Sequence, residues 1–141
     1  GDSGEPVLDW NEPCLAVEAG IMTTMERARR EGIDLLIEGV HMVPSARLVR
    51  AWEEAGGVAL GIVMVVDEEN AHLSMLKSRD AHSYRRADRY VANFKRIRAI
   101  QDGLIERAKI ANWTIVDPTR VDSDVERIYT LLNRAINDHE A

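Results

Sequence analysis

Leu35, Leu36 and Ile37 are three consecutive apolar residues that end in Glu38, Gly39, Val40 and His41. Consecutive rather than alternating apolar residues suit a parallel strand covered on both faces, and Gly32 just before them suits the stop of a preceding helix. Such a strand demands helices on either side, so the run from Asp34 to His41 commits the chain to an α/β arrangement more firmly than any other stretch. In open α/β sheets ligands sit outside the carboxyl ends of the strands, which is where Glu38 and His41 fall. The alternative is a plain connector whose Glu38 is merely solvated.

Two further runs read as strands. Val58 to Val66 is rich in Val, Ile and Met and follows Gly56-Gly57, and Trp113 to Val116 is short and closed by Asp117-Pro118. Helices fill the spaces between. Asn11 with Pro13 predicts a helix start that runs to about Glu31, its apolar positions Leu15, Ile21, Met22, Met25 and Ala28 at helical spacing. Pro44 and Ser45 open a shorter helix with Trp52 as a core residue, and Asp67 caps a third whose acidic first turn suits the helix dipole better than it suits a metal. The longest helix is expected from about Tyr84 to Ala111, after a break at Ala81-His82-Ser83. Gln101 falls within its apolar stripe, so that side chain either ties down backbone or faces a polar site, the first being favoured. Asp122, Ser123 or Asp124 caps a last amphipathic helix. This order predicts an α/β domain of three layers, a parallel sheet flanked by helices, spanning 1–141 as one unit.

Composition narrows the function. With 45% hydrophobic and 30% charged residues the chain is an ordinary globular sequence, and its longest apolar run is too short to cross a bilayer. No basic and apolar leader opens it, and Cys14 is its one cysteine, which together predict a cytoplasmic protein without disulfides or a cysteine metal cluster. Cys14 is expected to pack. The net charge of −6 conceals a basic island, because residues 77–109 hold ten Lys or Arg against four Asp or Glu while the rest hold eight against twenty. A basic island in an acidic protein suits a small polyanion better than a duplex laid across a broad surface. Binding of nucleic acid through the long basic helix is the weaker alternative.

Arg79, Arg85, Arg86, Arg89, Arg96 and Arg98 cluster around the break between two helices. The guanidinium fork matches phosphate oxygens, and a hinge beside it permits closure over a ligand. Arg79, Arg85 and Arg86 flank the break itself, whereas for Arg96 and Arg98 a solvated helix face explains the charge equally well. Phosphoryl transfer uses such an arrangement, since its catalysis is mostly positioning and neutralisation of oxygens.

Several segments together resemble the 2-phosphoglycerate kinase family of P-loop kinases. They are Glu26-Arg27-Ala28 with Glu31-Gly32, then Leu36 to Pro44 with its Glu-Gly-Val-His-Met-Val-Pro string, then Arg89-Tyr90, Phe94 and Ile97 to Asp102. The likeness runs from about Val17 to Asp117. It implies ATP- and Mg2+-dependent phosphorylation of 2-phosphoglycerate or a related phosphorylated hydroxy acid. By that likeness Glu38 stands at the end of a Walker-B-like strand, where it orients the magnesium shell or the acceptor hydroxyl, with His41 near the acceptor. Arg79, Arg85, Arg86 and Arg89 belong to a lid-like helical region at about 77–100, and no residue is assigned as a direct metal ligand.

One departure from the family is large. The sequence contains no Gly-x-x-x-x-Gly-Lys-Ser/Thr, the loop that cradles nucleotide phosphates. The resemblance therefore implies the C-terminal part of a longer kinase, inactive when isolated, in which the P-loop strand between the strands ending at Glu38 and Val66 is missing. Those two strands either close directly on one another, or another polypeptide fills the gap as a homo-oligomer or as an N-terminal segment completing the sheet. An unfilled slot leaves two rows of backbone groups unpaired. A non-catalytic phosphate-binding module derived from a P-loop kinase is the rival function.

Overall fold

A computed structural model of the chain describes residues 3–79, 87–120 and 124–141. Its elements run α1 (Pro6–Glu31), α2 (Ala46–Glu53), β1 (Ile62–Met64), α3 (Glu69–Ser78), α4 (Ala87–Ala92), α5 (Phe94–Ala111), β2 (Thr114–Val116) and α6 (Asp124–Glu140). β1 and β2 pair in parallel with Ile62 opposite Thr114 and Met64 opposite Val116. The ladder reaches one residue further at each end of β1, through Thr114 N–H to the Gly61 carbonyl and Val65 N–H to the Val116 carbonyl.

The expected three-strand, three-layer sheet is corrected to a two-strand parallel sheet packed against helices among the described residues. The Leu35–Ile37 run has no regular ladder, and Leu36 is 92% exposed. A strand is completed by a hydrogen-bonding neighbour, and among the described residues none bonds to this segment, so apolar character alone does not make it one.

α1 begins at Pro6 rather than at Asn11. Proline is as good at the first helical position there, and Asp9 in the first turn accepts the Ser3 amide at 2.9 Å. Pro13 consequently lies inside the helix, where it removes a backbone donor. Burial justifies the longer helix, because Trp10, Cys14, Ile21 and Ala28 fall on one face and all are buried. Gly32 ends it in a left-handed conformation at φ 64° as its position suggested.

The expected long helix from Tyr84 divides at Asn93, with residues 80–86, and so the break at Ala81-His82-Ser83, outside the described residues. The Asn93 side-chain amide donates to the Arg89 carbonyl at 2.8 Å, a local bond of the kind that competes with helical continuity. α5 then carries the core, with Ala108 at 0% exposure packed against Val63 and Val65 and flanked by Leu104, Ile105, Trp113 and Ile115. α1 lies against α5, and close approach is possible at Gly103, where a Cβ would meet Val7 at 3.3 Å. No helix among the described residues is long and apolar enough to cross a membrane.

Candidate functional site at the strand ends and the His41 cavity

Three groups of residues converge on the carboxyl ends of β1 and β2. Gln101 is buried at 9% exposure, accepts the Val66 amide through Oε1 at 2.9 Å and donates through Nε2 to the Val66 carbonyl at 3.0 Å. It therefore ties down backbone, as its place in the apolar stripe suggested. Arg98 adds donors to the carbonyls of Val66 and, at 3.0 Å, Asp67. Its guanidinium is thus engaged with backbone rather than free for a ligand, and Arg96 is likewise paired with Asp9 at 3.3 Å.

Asp117 sits one residue beyond β2 and is buried at 7% exposure. Its carboxylate accepts the Asp67 amide at 3.0 Å, the Thr119 amide at 2.9 Å and the Thr119 hydroxyl. Burial pushes this carboxyl up, but the Thr119 hydroxyl, the two amides and the Arg120 charge outweigh it and hold the group below the usual carboxylate range. Asp67 does not cap α3, which starts after Glu68 without a side-chain cap; its carboxylate pairs with Arg120 instead. Among the described residues no three carboxylate, histidine or cysteine side chains converge as a metal site.

His72 belongs to the same corner. Its Nδ1 lies 3.4 Å from an Arg98 nitrogen, and its ring meets Phe94 edge-on at 5.4 Å between centroids. Since arginine can only donate, Nδ1 acts as the acceptor of a neutral imidazole. Burial, and secondly the Arg98 charge, push the His72 pKa down.

Glu38 and His41 reach the surface differently. Glu38 is exposed at the end of the extended segment. His41 is half-buried and lines a cavity of about 300 Å³ with Asn11, Cys14, Glu18, Ser45 and Arg107. The chain turns here because Met42 N–H returns to the Gly39 carbonyl at 3.2 Å, and the Val40 carbonyl is held by Trp10 Nε1 at 2.9 Å. Arg107 stacks over the Trp10 ring at 5.2 Å and donates to Asn11 at 3.1 Å, which brings a cation to the rim of the same cavity. Burial pushes the Cys14 thiol up, only partly opposed by Arg107, so this cysteine is a packed neutral thiol as expected.

The arginine group is placed only in part. Arg79 closes α3 and lies over the Tyr90 ring at 5.9 Å, one residue from the exposed Arg89 of α4. Arg85 and Arg86 fall outside the described residues. No hydrogen bond or ion pair among the described residues joins Glu38 or His41 to Arg79 or Arg89, so α3–α4 and the His41 cavity stand as separate neighbourhoods. Sequence reasoning missed Asp117, Thr119, Arg120 and Arg107. The signal for Asp117 was its position after a strand, which had served only as a stop.

Comparison with known proteins gives a consistent relationship. The chain is 35% identical to a 2-phosphoglycerate kinase of Thermococcus kodakarensis over 112 residues, covering 79% of this chain and 37% of that protein. It is 32% identical over 128 residues to a 2-phosphoglycerate kinase of Methanopyrus kandleri, covering 89% of this chain and 38% of that protein. A third, from Pyrococcus horikoshii, is 32% identical over 122 residues, 86% of this chain and 39% of that protein. The chain thus spans less than two fifths of the length of these relatives. No family model matches the chain. No solved structure matches it.

Proposed function

From its homology to 2-phosphoglycerate kinases over most of its length, we propose that this chain is part of an ATP-dependent small-molecule kinase acting on 2-phosphoglycerate or a related phosphorylated hydroxy acid. The observation that carries this is the 35% identity extending over 79% of the chain. Glu38 and His41 are proposed at the acceptor, Glu38 as the carboxylate that orients the acceptor hydroxyl and His41 as a partner to its proton. Arg79, Arg85, Arg86 and Arg89 are proposed to neutralise phosphate oxygens from a lid at about 77–100, a role that suits the bidentate guanidinium.

The residues present do not by themselves fit the nucleotide and Mg2+. The sequence has no phosphate-cradling Gly-x-x-x-x-Gly-Lys-Ser/Thr, and among the described residues no three ligating side chains meet. Binding of the acid without phosphoryl transfer is therefore what this chain alone should do. A phosphate-binding module without turnover is the second reading, favoured by that same missing loop.

Calorimetric titration with 2-phosphoglycerate tests the proposal. Saturable binding is expected, lost or weakened by about tenfold or more in Arg85→Ala and Arg86→Ala, the loss of a charge-assisted pair amounting to about 2 kcal/mol. Absence of binding in the parent chain would remove the acceptor site from these residues. An assay with ATP and Mg2+ separates the two readings, since turnover on reunion with the rest of a homologous kinase belongs only to the enzyme.

A further inference from the structure

Two spaces open beside the segment from Leu35 to His41, and they differ in charge. The cleft of about 220 Å³ beside β1 is lined by Leu35, Leu36, Ile37, Leu48 and Trp52 among others, and by no charged side chain. The cavity of about 300 Å³ at His41 is lined by Arg107 together with Leu15, Ile21 and Val43. Glu18 is the one carboxylate of that lining, and it is paired with Arg47, which lies outside the lining. Arg107 itself meets no carboxylate among the described residues. A half-buried cation without a counter-charge, set in a cavity, is a place where a bound anion is strongly favoured.

The guanidinium is held only by neutral groups. It lies over the Trp10 ring at 5.2 Å, donates to Asn11 Oδ1 at 3.1 Å and reaches the Gly103 carbonyl at 3.5 Å. These contacts fix the plane of the fork and use only part of its donors. Since arginine can only donate, Asn11 presents Oδ1 to it, and the Asn11 amide nitrogen stays a donor with no acceptor among the described residues. The His41 ring, half-buried on the same cavity, also makes no hydrogen bond among the described residues. Arg107, Asn11 and His41 therefore bring unused polar groups to one volume, and none of them is acidic.

We propose that the His41 cavity is a carboxylate pocket, with Arg107 as the residue that recognises the acid end of a small hydroxy acid. The inference rests on the reading of His41 as an acceptor residue and adds what that reading lacks, a group that tells an acid from a plain phosphate ester. Size sets one limit. At about 30 Å³ for each water-sized group, the cavity takes about ten non-hydrogen atoms, a small acid rather than a nucleotide. Charge sets the other. One guanidinium balances one carboxylate, whose two oxygens match the planar fork, whereas a phosphate dianion would leave a charge unpaired against Leu15, Ile21 and Val43. Recognition of the acid is thereby separate from neutralisation of the phosphate, which the arginines assigned to it above supply.

The test titrates the 141-residue chain with 2-phosphoglycerate, with glycerol 2-phosphate, which lacks the carboxylate, and with D-glycerate, which lacks the phosphate. Calorimetry is expected to favour 2-phosphoglycerate over glycerol 2-phosphate by about tenfold or more, as one charge-assisted pair does. Arg107→Met keeps an apolar stem on Trp10 and should erase that preference while leaving glycerol 2-phosphate unchanged; a merely structural role would weaken both ligands alike. Arg107→Lys is the second variant: it keeps the charge without the fork and should retain only part of the preference. D-glycerate at millimolar concentration should shift the Trp10 indole N–H resonance in the parent chain and not in Arg107→Met. Equal affinity for the two phosphates in the parent chain, or a preference undiminished in the variants, would overturn the pocket and leave the kinase reading standing. If neither phosphate binds, D-glycerate decides alone: an Arg107-dependent shift keeps the pocket while the phosphate site falls, and the absence of a shift overturns both.

Discussion

The corner where β1 and β2 end and the cleft beside β1 are built from the same kind of backbone, yet one is saturated with partners and the other bare. At the corner, Val66 is bonded by Gln101 and Arg98, and the Asp67 amide by Asp117. Across the cleft, Leu35 to Ile37 present consecutive apolar side chains, and their amides have no hydrogen-bond acceptor among the described residues. The difference teaches what stabilises each. The corner is closed by side chains that this chain itself supplies, whereas the walls of the cleft are apolar side chains that offer the Leu35–Ile37 backbone no hydrogen bond among the described residues.

Removing the Gln101 amide should break this contrast most severely. Gln101→Met keeps the shape of the side chain but leaves the buried Val66 N–H unpaired and its carbonyl with Arg98 alone. An unsatisfied buried group costs about 1–3 kcal/mol, so a loss of about 3 kcal/mol is expected, read as a lowered midpoint in urea with unchanged slope. A loss below about 0.5 kcal/mol would mean that Val66 is solvated like its neighbours across the cleft, and the corner would no longer differ from it.

Gly61→Ala tests the packing that separates the two regions. A Cβ there would meet the Trp113 ring at 2.3 Å, and moving that ring would strain the Trp113 Nε1 bond to the Ser45 carbonyl at 3.2 Å. Overpacking of this kind costs about 1–3 kcal/mol. Thermal unfolding should show the loss, accompanied by a change in tryptophan fluorescence as Trp113 shifts; an unchanged melting point would place the ring elsewhere.

How much of this was legible in the sequence follows the same division. The parallel pair, the Gly32 stop and the backbone role of Gln101 could be read because each depends on local pattern or on one side chain's chemistry. Asp117 could not, because its three donors come from Asp67 and Thr119, of which Asp67 is brought near only by the folded ladder. Arg98 looked like a free cation for the same reason: its carbonyl partners lie 31 and 32 positions away. The Leu35–Ile37 run was misjudged in the opposite direction. Its composition is that of a buried strand, but burial and pairing require a neighbour that the described residues do not include. For the candidate site, His41 shares its cavity with Asn11 and Arg107, residues 30 and 66 positions away along the chain, which no local pattern could join.

A smaller effect concerns pH. His72 has its pKa lowered in the folded state, so the unfolded chain binds the proton more readily. Its contribution is present above the ordinary histidine value of 6.5 and is lost as pH falls through the lowered folded value. Asp117, also lowered, follows at the acid end: its contribution is present above the ordinary value of 3.8 and is lost as pH falls further. Stability measured from pH 7.5 downward should therefore decline in two stages, a first below about 6.5 and a second below about 3.8. His72→Gln should remove the first stage and leave the second; a first stage that persists in that variant would assign it to another group.

The smallest effect is expected from Leu36→Asp in the isolated chain, and its smallness is informative. Leu36 is 92% exposed, so replacing it removes almost no buried apolar area, and a surface change of this kind stays within about 0.5 kcal/mol. All three residues of the run border the cleft, but Leu35 is only 38% exposed and Ile37 is half-buried. Leu35→Asp should accordingly cost more than Leu36→Asp. If both substitutions cost about 2 kcal/mol or more in the monomer, as truncating a buried leucine does, the segment is already packed and the cleft is closed in solution. If Leu36→Asp is silent and Leu35→Asp is not, the run is anchored through Leu35, and the exposed leucine beside it carries no share of the stability of the monomer.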